Sequence, residues 1–397
     1  MDERDARFLE SIFRRYYYDH ASEIPVPDSI ARREFGYQKF GMSDGGGPGG
    51  GGMIRHLQIL DAGQMRVLFV RNAPSDVYYS NAYYSFPTMD MAEKDWQGAD
   101  LIFDIDAKDL ALPCREKHVL EACTDCCRVA VSGGDGGGDN HTCGACGGAS
   151  GLRRRSLPCE KCVDASKEQV RLLREVLCDD LGVPPEEITV YFSGNEGFHL
   201  HVLHGAFRDM DARARTDLVD YITLRGLIPE TMGMRKGNPD KGGFPDLDEA
   251  GWRGRFARAA FGSKTRRAKT ITELLSAPAG EGYARFQDMM KGAVSKAGVR
   301  IDPHVTMDVH RVFRMPGTLN SKSGMVKAPC ADVAEFDPYV DAVVLDGTER
   351  VEVVADCPVR FRLNGMNIGP YRNEEAELPG YAAAYMMCKG LAKKKTG

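Results

Sequence analysis

Asp100-Leu101-Ile102-Phe103-Asp104-Ile105-Asp106 is an apolar run that closes in paired acids. Leu101, Phe103 and Ile105 alternate with Ile102, Asp104 and Asp106, the period of a β-strand. Side chains two residues apart on a strand share a face, so Asp104 and Asp106 project together. Two carboxylates so placed can bridge divalent cations, and hard oxygen ligands suit Mg²⁺ or Mn²⁺. Such ions neutralise a triphosphate and activate an attacking hydroxyl. An acidic pair at the end of an exposed strand has the same letters. The apolar Leu101-Ile102-Phe103 run is what buries this strand and makes its pair rigid.

Outward from that strand, two further segments carry the residue types that phosphate chemistry uses. Ser193-Gly194-Asn195-Glu196-Gly197-Phe198-His199 lies between predicted strands 188–192 and 198–203, a hairpin by spacing. Its glycines permit a tight turn and close backbone approach to phosphate, and Ser193 and His199 can donate hydrogen bonds there. The segment from Ile301 to Gly324 gathers Asp302, Asp308, Arg311, Arg314 and Lys322 around Pro316-Gly317. The basic residues suit phosphate, and one of the carboxylates would complete a metal site.

Between the acidic strand and the Ser193 loop stand Cys114, Cys123, Cys126, Cys127, Cys143 and Cys146 with His118 and His141, followed by Cys159 and Cys162. In a chain with no signal-peptide pattern at Met1-Asp2-Glu3-Arg4-Asp5, this clustering favours Zn²⁺ over disulfides. Cys-x-x-Cys followed by Cys-x-x-Cys across a glycine-rich loop is a ribbon signal, which pairs Cys123 and Cys126 with Cys143 and Cys146. Cys114, His118, Cys159 and Cys162 then make a second site, for one or two structural zinc ions in all, with Cys127 and His141 as alternative ligands. Arg153-Arg154-Arg155 beside them is a candidate phosphate-contacting patch.

The remaining sequence frames these motifs. The chain has 397 residues, 43% apolar and 27% charged, enough for a substantial core. No apolar run approaches the roughly 20 residues of a membrane span, so a cytoplasmic address with no membrane partner is expected. A net charge of −5 excludes whole-molecule attraction to nucleic acid and leaves only local basic patches. Periodicity predicts helices over 3–18 and 166–181, strands over 66–70 and 76–80, and a loop over the Gly45–Gly52 run. Residues 209–299 read as mostly helical, broken at Gly237–Pro245 and at Pro278-Ala279-Gly280. Residues 341–363 carry short β-type runs, and the tail ending Lys393-Lys394-Lys395 is expected to fray.

In this order, the acidic strand, the Ser-Gly-x-x-Gly-x-His loop and the Asp…Arg-x-Pro-Gly-x-Leu-x-x-Lys-x-Gly segment resemble the catalytic small subunit of archaeal and eukaryotic DNA primases. Arg33-Glu34-Phe35-Gly36-Tyr37, Met53-Ile54-Arg55-His56 and Val77-Tyr78-Tyr79-Ser80 resemble its opening segments. The resemblance implies an α+β, primase-type catalytic core of mixed sheets flanked by helices, with an inserted zinc-binding knob and a helical insertion. On that reading the core spans 1–112, 165–208 and 300–345, the knob 113–164, the insertion 209–299, and C-terminal strands with a basic tail 346–397. Asp104, Asp106 and Asp302 would be the catalytic metal-binding carboxylates, with Asp302 preferred to Asp308 by its distance upstream of the basic loop. Ser193, Gly194, His199, Arg314, Lys322, Arg55 and Glu34 would form the nucleotide site. The knob's zinc would be held by the nested pairs above.

The resemblance further implies template-directed nucleotidyl transfer that makes RNA or DNA primers on single-stranded DNA during replication. The implied partners are nucleoside triphosphates, a primase large subunit and the replication machinery. A stand-alone primase-polymerase in repair or damage tolerance, and a non-catalytic zinc-ribbon nucleic-acid-binding protein, are the alternatives. Many relatives carry arginine where this chain has Asn195 and Glu196, and histidine where it has Asn320. A glutamate beside a triphosphate repels it unless the side chain points away or meets a metal.

Overall fold

In the computed structural model, residues 3–41, 52–129, 143–147, 151–235, 241–278 and 280–395 are described. All but the last residue of the Gly45–Gly52 run, His141, the start of the Gly237–Pro245 break and Ala279 lie outside the described residues. The fold is α+β, built of small sheets flanked by helices, and each described strand pairing is antiparallel.

Two sheets position the motifs. The acidic strand, Leu101–Asp106, pairs with Gly197–Val202, which pairs in turn with Ile188–Phe192. The second sheet runs Val312–Arg314, Asp76–Ser80, Phe35–Gln38, Met53–Leu57 in spatial order. Leu101, Phe103, Ile105, Phe198 and Leu200 bury one face of the first sheet in the main core, with Val163, Val170 and Leu173 of helix Glu160–Glu175. The opposite face carries Ile102, which packs with Val305 and Phe313 in a small separate cluster and joins the first sheet to the second. Asp104 and Asp106 lie on that same face, where the two sheets meet.

The first helix spans Glu3–His20 and buries Leu9, Phe13, Tyr16 and Tyr17. Residues 66–70 are not a strand. They lie in helix Ala62–Asn72, started by the Asp61 side chain accepting from the Gln64 amide at 2.9 Å. Met65 and Phe69, four residues apart, are its buried residues, whereas Val67 is 59% exposed. The Val67–Val70 run mimics a strand in composition, but burial follows the helical period.

The helix expected from 166 begins at Glu160, right after Cys159, and runs α-helical to Glu175 before a π-turn over Val176–Asp180. Between 209 and 299 stand helices Ala212–Thr223, Gly251–Phe261, Lys264–Ser276 and Glu281–Ala297. The first gives Leu218, Val219 and Ile222 to the main core. The others surround a separate core of Met232, Met234, Phe244, Phe256, Leu274, Phe286 and Ala293.

The basic tail is ordered rather than frayed. Ala392–Lys394 pairs with strand Arg350–Cys357, whose other neighbour is Tyr371–Pro379, and the Lys394 amide donates to Asp5 Oδ1 at 2.9 Å. Just before it, helix Gly380–Cys388 is buried at all nine positions. A helix apolar all round must sit inside a protein, and its burial anchors the strand that follows.

Candidate active site

Register fixes the acidic pair. Asp104 lies opposite His199, and Asp106 opposite Gly197. A Cβ on Gly197 would collide with Asp106 Oδ1 and with the Ile105 carbonyl, so glycine is required for the loop to pass over the carboxylate. The Asp302 amide donates to the Asp104 carbonyl at 2.9 Å, which brings the third acid alongside. Its own carboxylate caps helix Pro303–Met307 through the His304 amide at 3.0 Å. Asp308 instead closes a local turn on the His310 amide.

The three carboxylates crowd one another electrostatically. Burial, then the charges of Asp106 and Asp302, push the Asp104 carboxyl up to about 8 against the pull of Lys108 and Arg311. Asp104 Oδ1 is buried without a hydrogen-bond donor, and His199 Nε2 stands 3.5 Å from it. Lys108 Nζ meets Asp106 Oδ2 at 2.7 Å. Three crowded carboxylates with an orphaned buried oxygen fit hard divalent ions such as Mg²⁺ or Mn²⁺. His199 is held well below the usual imidazole range by burial and by Lys327, Arg314 and Arg311, so it is neutral.

The Ser193 loop and the 314–327 segment lock together. Ser193 Oγ accepts from the Gly197 amide at 3.2 Å and from the Asn195 amide at 3.4 Å, closing the turn on itself. Gly194 has φ +82° and lies against Asn320 and Met325. Asn320 Nδ2 donates to the Ser193 carbonyl at 3.2 Å, and Ser323 Oγ donates to the Gly194 carbonyl. Asn320 therefore fastens the two loops. Lys322 and Arg311 are exposed.

The cysteines gather at two places among the described residues. Cys123, Cys126, Cys143 and Cys146 place their sulfurs within 4.8 Å of one another, with Cys123–Cys146 at 3.8 Å and Cys126–Cys143 at 3.7 Å. Tetrahedral bonds of about 2.3 Å put ligand sulfurs roughly 3.8 Å apart, so this spacing matches a shared metal ion. A disulfide needs about 2 Å, and all twelve cysteines are free. Cys114, His118 and Cys159 form the other group, with Cys162 at 3.6 Å from Cys114 and 3.9 Å from Cys159. Both can hold a metal ion. Cys127 joins neither; it is buried, and burial pushes its thiol up to about 11.

A family model described as the DNA primase small subunit matches residues 153–332. The chain is 47% identical over 392 residues to the DNA primase small subunit PriS of Nitrosopumilus maritimus, covering 99% of each chain. It is 45% identical over 392 residues to that of Cenarchaeum symbiosum, again over 99% of each. The chain belongs to the DNA primase small-subunit family. It is thus a DNA primase, a nucleotidyltransferase. A solved polymerase domain of Mycobacterium tuberculosis ligase D in complex with DNA matches at TM-score 0.36 and 14% identity over 83% of each chain, a likeness too slight to bear on the fold.

In this primase, two residues expected at the nucleotide site, Glu34 and Arg314, are buried against protein partners. Glu34 is 0% exposed; it pairs with Arg55 Nε at 2.9 Å and with buried Lys94 Nζ at 3.3 Å. Burial raises its carboxyl, but Arg55 and Lys94 outweigh that and hold it below the usual range. Arg55 remains 35% exposed at the rim. Arg314 is also buried. It pairs with Asp76, donates to the Leu319 carbonyl at 2.9 Å and lies over the Tyr78 ring. It therefore fixes the turn that carries Lys322, while the exposed guanidinium nearby is Arg311.

Lys327 and His201 were not singled out in the sequence. Lys327 Nζ, buried, lies 3.1 Å from His201 Nε2 and donates to the Arg314 carbonyl at 2.9 Å. Alternation on the strand placed His201 on the face of His199, the signal that could have found it. Glu196, the unexpected acid of the loop, points away to Arg115 Nη1 at 3.0 Å and Ser156 Oγ at 3.0 Å.

Proposed function

We propose that this chain is the catalytic subunit of a two-subunit DNA primase that synthesises short primers on single-stranded DNA during replication. The observation that carries the reading is the convergence of Asp104, Asp106 and Asp302 beside a loop that the Lys322 segment clamps. Asp104, Asp106 and Asp302 would hold Mg²⁺ or Mn²⁺, and those ions would neutralise the triphosphate and ease deprotonation of the attacking 3′-hydroxyl.

The chain's own residues do the rest. Ser193 and Gly194 set the loop's shape, and neutral His199 presents a ring nitrogen beside Asp104. Exposed Lys322 and Arg311, with Arg55 at the rim, supply positive charge for the triphosphate. Glu34 and Arg314 are positioning residues, the first holding Arg55 and the second holding the Lys322 turn. The cysteine groups would bind structural zinc, two ions per chain, since all-sulfur and sulfur–imidazole sets suit it.

No helix among the described residues is long and apolar enough to cross a membrane. A cytoplasmic setting with single-stranded template, nucleoside triphosphates and a large subunit fits the reading. The test is to incubate the purified chain with single-stranded template, nucleotides and Mn²⁺ or Mg²⁺, with and without the large subunit. De novo oligonucleotides that depend on metal and increase with the large subunit are expected. Efficient extension of supplied primers without any initiation would favour a stand-alone polymerase. Template binding with neither activity would favour a binding protein.

A further inference from the structure

The loop proposed to receive the triphosphate carries a carboxylate at its tip, a liability the fold contains by an arrangement that reaches into two other parts of the molecule. Glu196 is 12% exposed, and Oε2 accepts from both Arg115 and Ser156. Its neighbour Asn195 accepts from Lys389 Nζ at 2.7 Å through Oδ1, and the same ammonium donates to the Ser156 carbonyl at 2.8 Å. Arg115 follows Cys114, and Ser156 ends strand Leu152–Ser156 just before Cys159, so both belong to the frame of the outer cysteine–histidine group. Lys389 stands directly after the buried C-terminal helix. Nothing in the nucleotide role asks for these three contacts.

On the other side of the same loop, Gly197 rides over the Asp106 carboxylate. A freed Glu196, next to Gly197 in the chain, would therefore bring a negative charge toward Asp106 and the proposed triphosphate site.

We propose that Arg115, Ser156 and Lys389 are positioning residues that keep the Glu196 carboxylate turned away from the bound triphosphate, which couples nucleotide affinity to the outer cysteine–histidine frame. The inference rests on the nucleotide role proposed for the 193–199 loop. The effect of Arg115 then runs through Glu196: removing the guanidinium harms binding because the carboxylate is released, and the harm disappears when that carboxylate is neutralised. A merely structural Arg115 would behave otherwise, since Glu196→Gln adds no packing that could repair a damaged frame.

The experiment is equilibrium binding of a fluorescent ATP analogue with Mn²⁺ to the full chain carrying Arg115→Ala, Arg115→Lys, Glu196→Gln or Arg115→Ala with Glu196→Gln. Melting temperature and bound zinc per chain are measured on each. Arg115→Ala is expected to weaken binding about tenfold, the size expected for one charge several ångströms from a triphosphate near a protein surface. Arg115→Lys keeps the charge and stays near wild type. The double variant returns to within about threefold of wild type, with zinc content unchanged throughout. An unchanged dissociation constant in Arg115→Ala, or a double variant as weak as the single one, would overturn the proposal. Loss of zinc in Arg115→Ala with no recovery in the double variant would also overturn it. If the wild-type chain itself fails to bind the analogue, the nucleotide role of the loop is what fails.

Discussion

Glu34 shows how a single buried residue sets the behaviour of an exposed one. Its carboxylate balances Arg55 and Lys94 inside the fold, so Glu34→Gln leaves two cations facing a neutral amide. Removing one partner of a buried pair costs about 3 kcal/mol. Because the folded carboxyl titrates below its ordinary value of 4.5, the contribution is fully present above that pH and is lost as pH falls through the folded value. Urea unfolding of Glu34→Gln should therefore show a deficit of about 3 kcal/mol at pH 7 that narrows as the pH is lowered below about 4.5. A deficit that widens on acidification would contradict the pairing. Glu34 and Arg314 were both legible as important charges, yet the sequence could not say that they face inward. Each finds its partner from a distant segment, Glu34 with Lys94 and Arg314 with Asp76. Asn195, Glu196 and Asn320 are the reverse case: departures from the family pattern that the structure ties to Lys389, Arg115 and the Ser193 carbonyl.

Elements were legible where burial follows a local period. Strands 101–106 and 188–192 and the following strand came out within a residue or so of their places, because their apolar positions alternate with polar ones. Residues 66–70, inside helix Ala62–Asn72, resemble a strand because Val67-Leu68-Phe69-Val70 is a short apolar run with valine at both ends. The C-terminal helix escaped notice because Gly380–Cys388 has no polar face to give it a period. Two consequences are testable at this scale. In the hairpin, Gly197→Ala forces a methyl into the space of Asp106 Oδ1 and the Ile105 carbonyl. It should cost at least about 2 kcal/mol in urea unfolding and depress primer synthesis in the surviving folded fraction. At the tail, a chain ending at Leu391 loses the Ala392–Lys394 strand and its bond to Asp5. Its melting temperature should fall by roughly 5 °C or more, whereas a frayed tail could be removed without effect.

Across the whole molecule, the cysteine-rich segment, the two motif-bearing sheets and the C-terminal elements are joined at the 193–199 loop. Two metal-type groups follow from cysteine spacing that was visible in the sequence, and mass-spectrometric metal analysis should find two zinc ions per wild-type chain. Cys126→Ser should remove one and leave the Cys114, His118, Cys159 and Cys162 group loaded; one ion per wild-type chain would contradict the two-site arrangement. The separate hydrophobic core within 209–299 was not visible, since its members are scattered over some sixty residues and meet only after three helices fold back together. Chemistry is assigned to the Asp104, Asp106 and Asp302 cluster, and one comparison reaches it directly: oligonucleotide synthesis on single-stranded DNA with Mn²⁺ by the wild-type chain and by Asp104→Asn, each with the large subunit. Metal-dependent primers from the wild type and at least about a thousandfold less from a folded Asp104→Asn are predicted. Undiminished synthesis by Asp104→Asn would contradict the assignment.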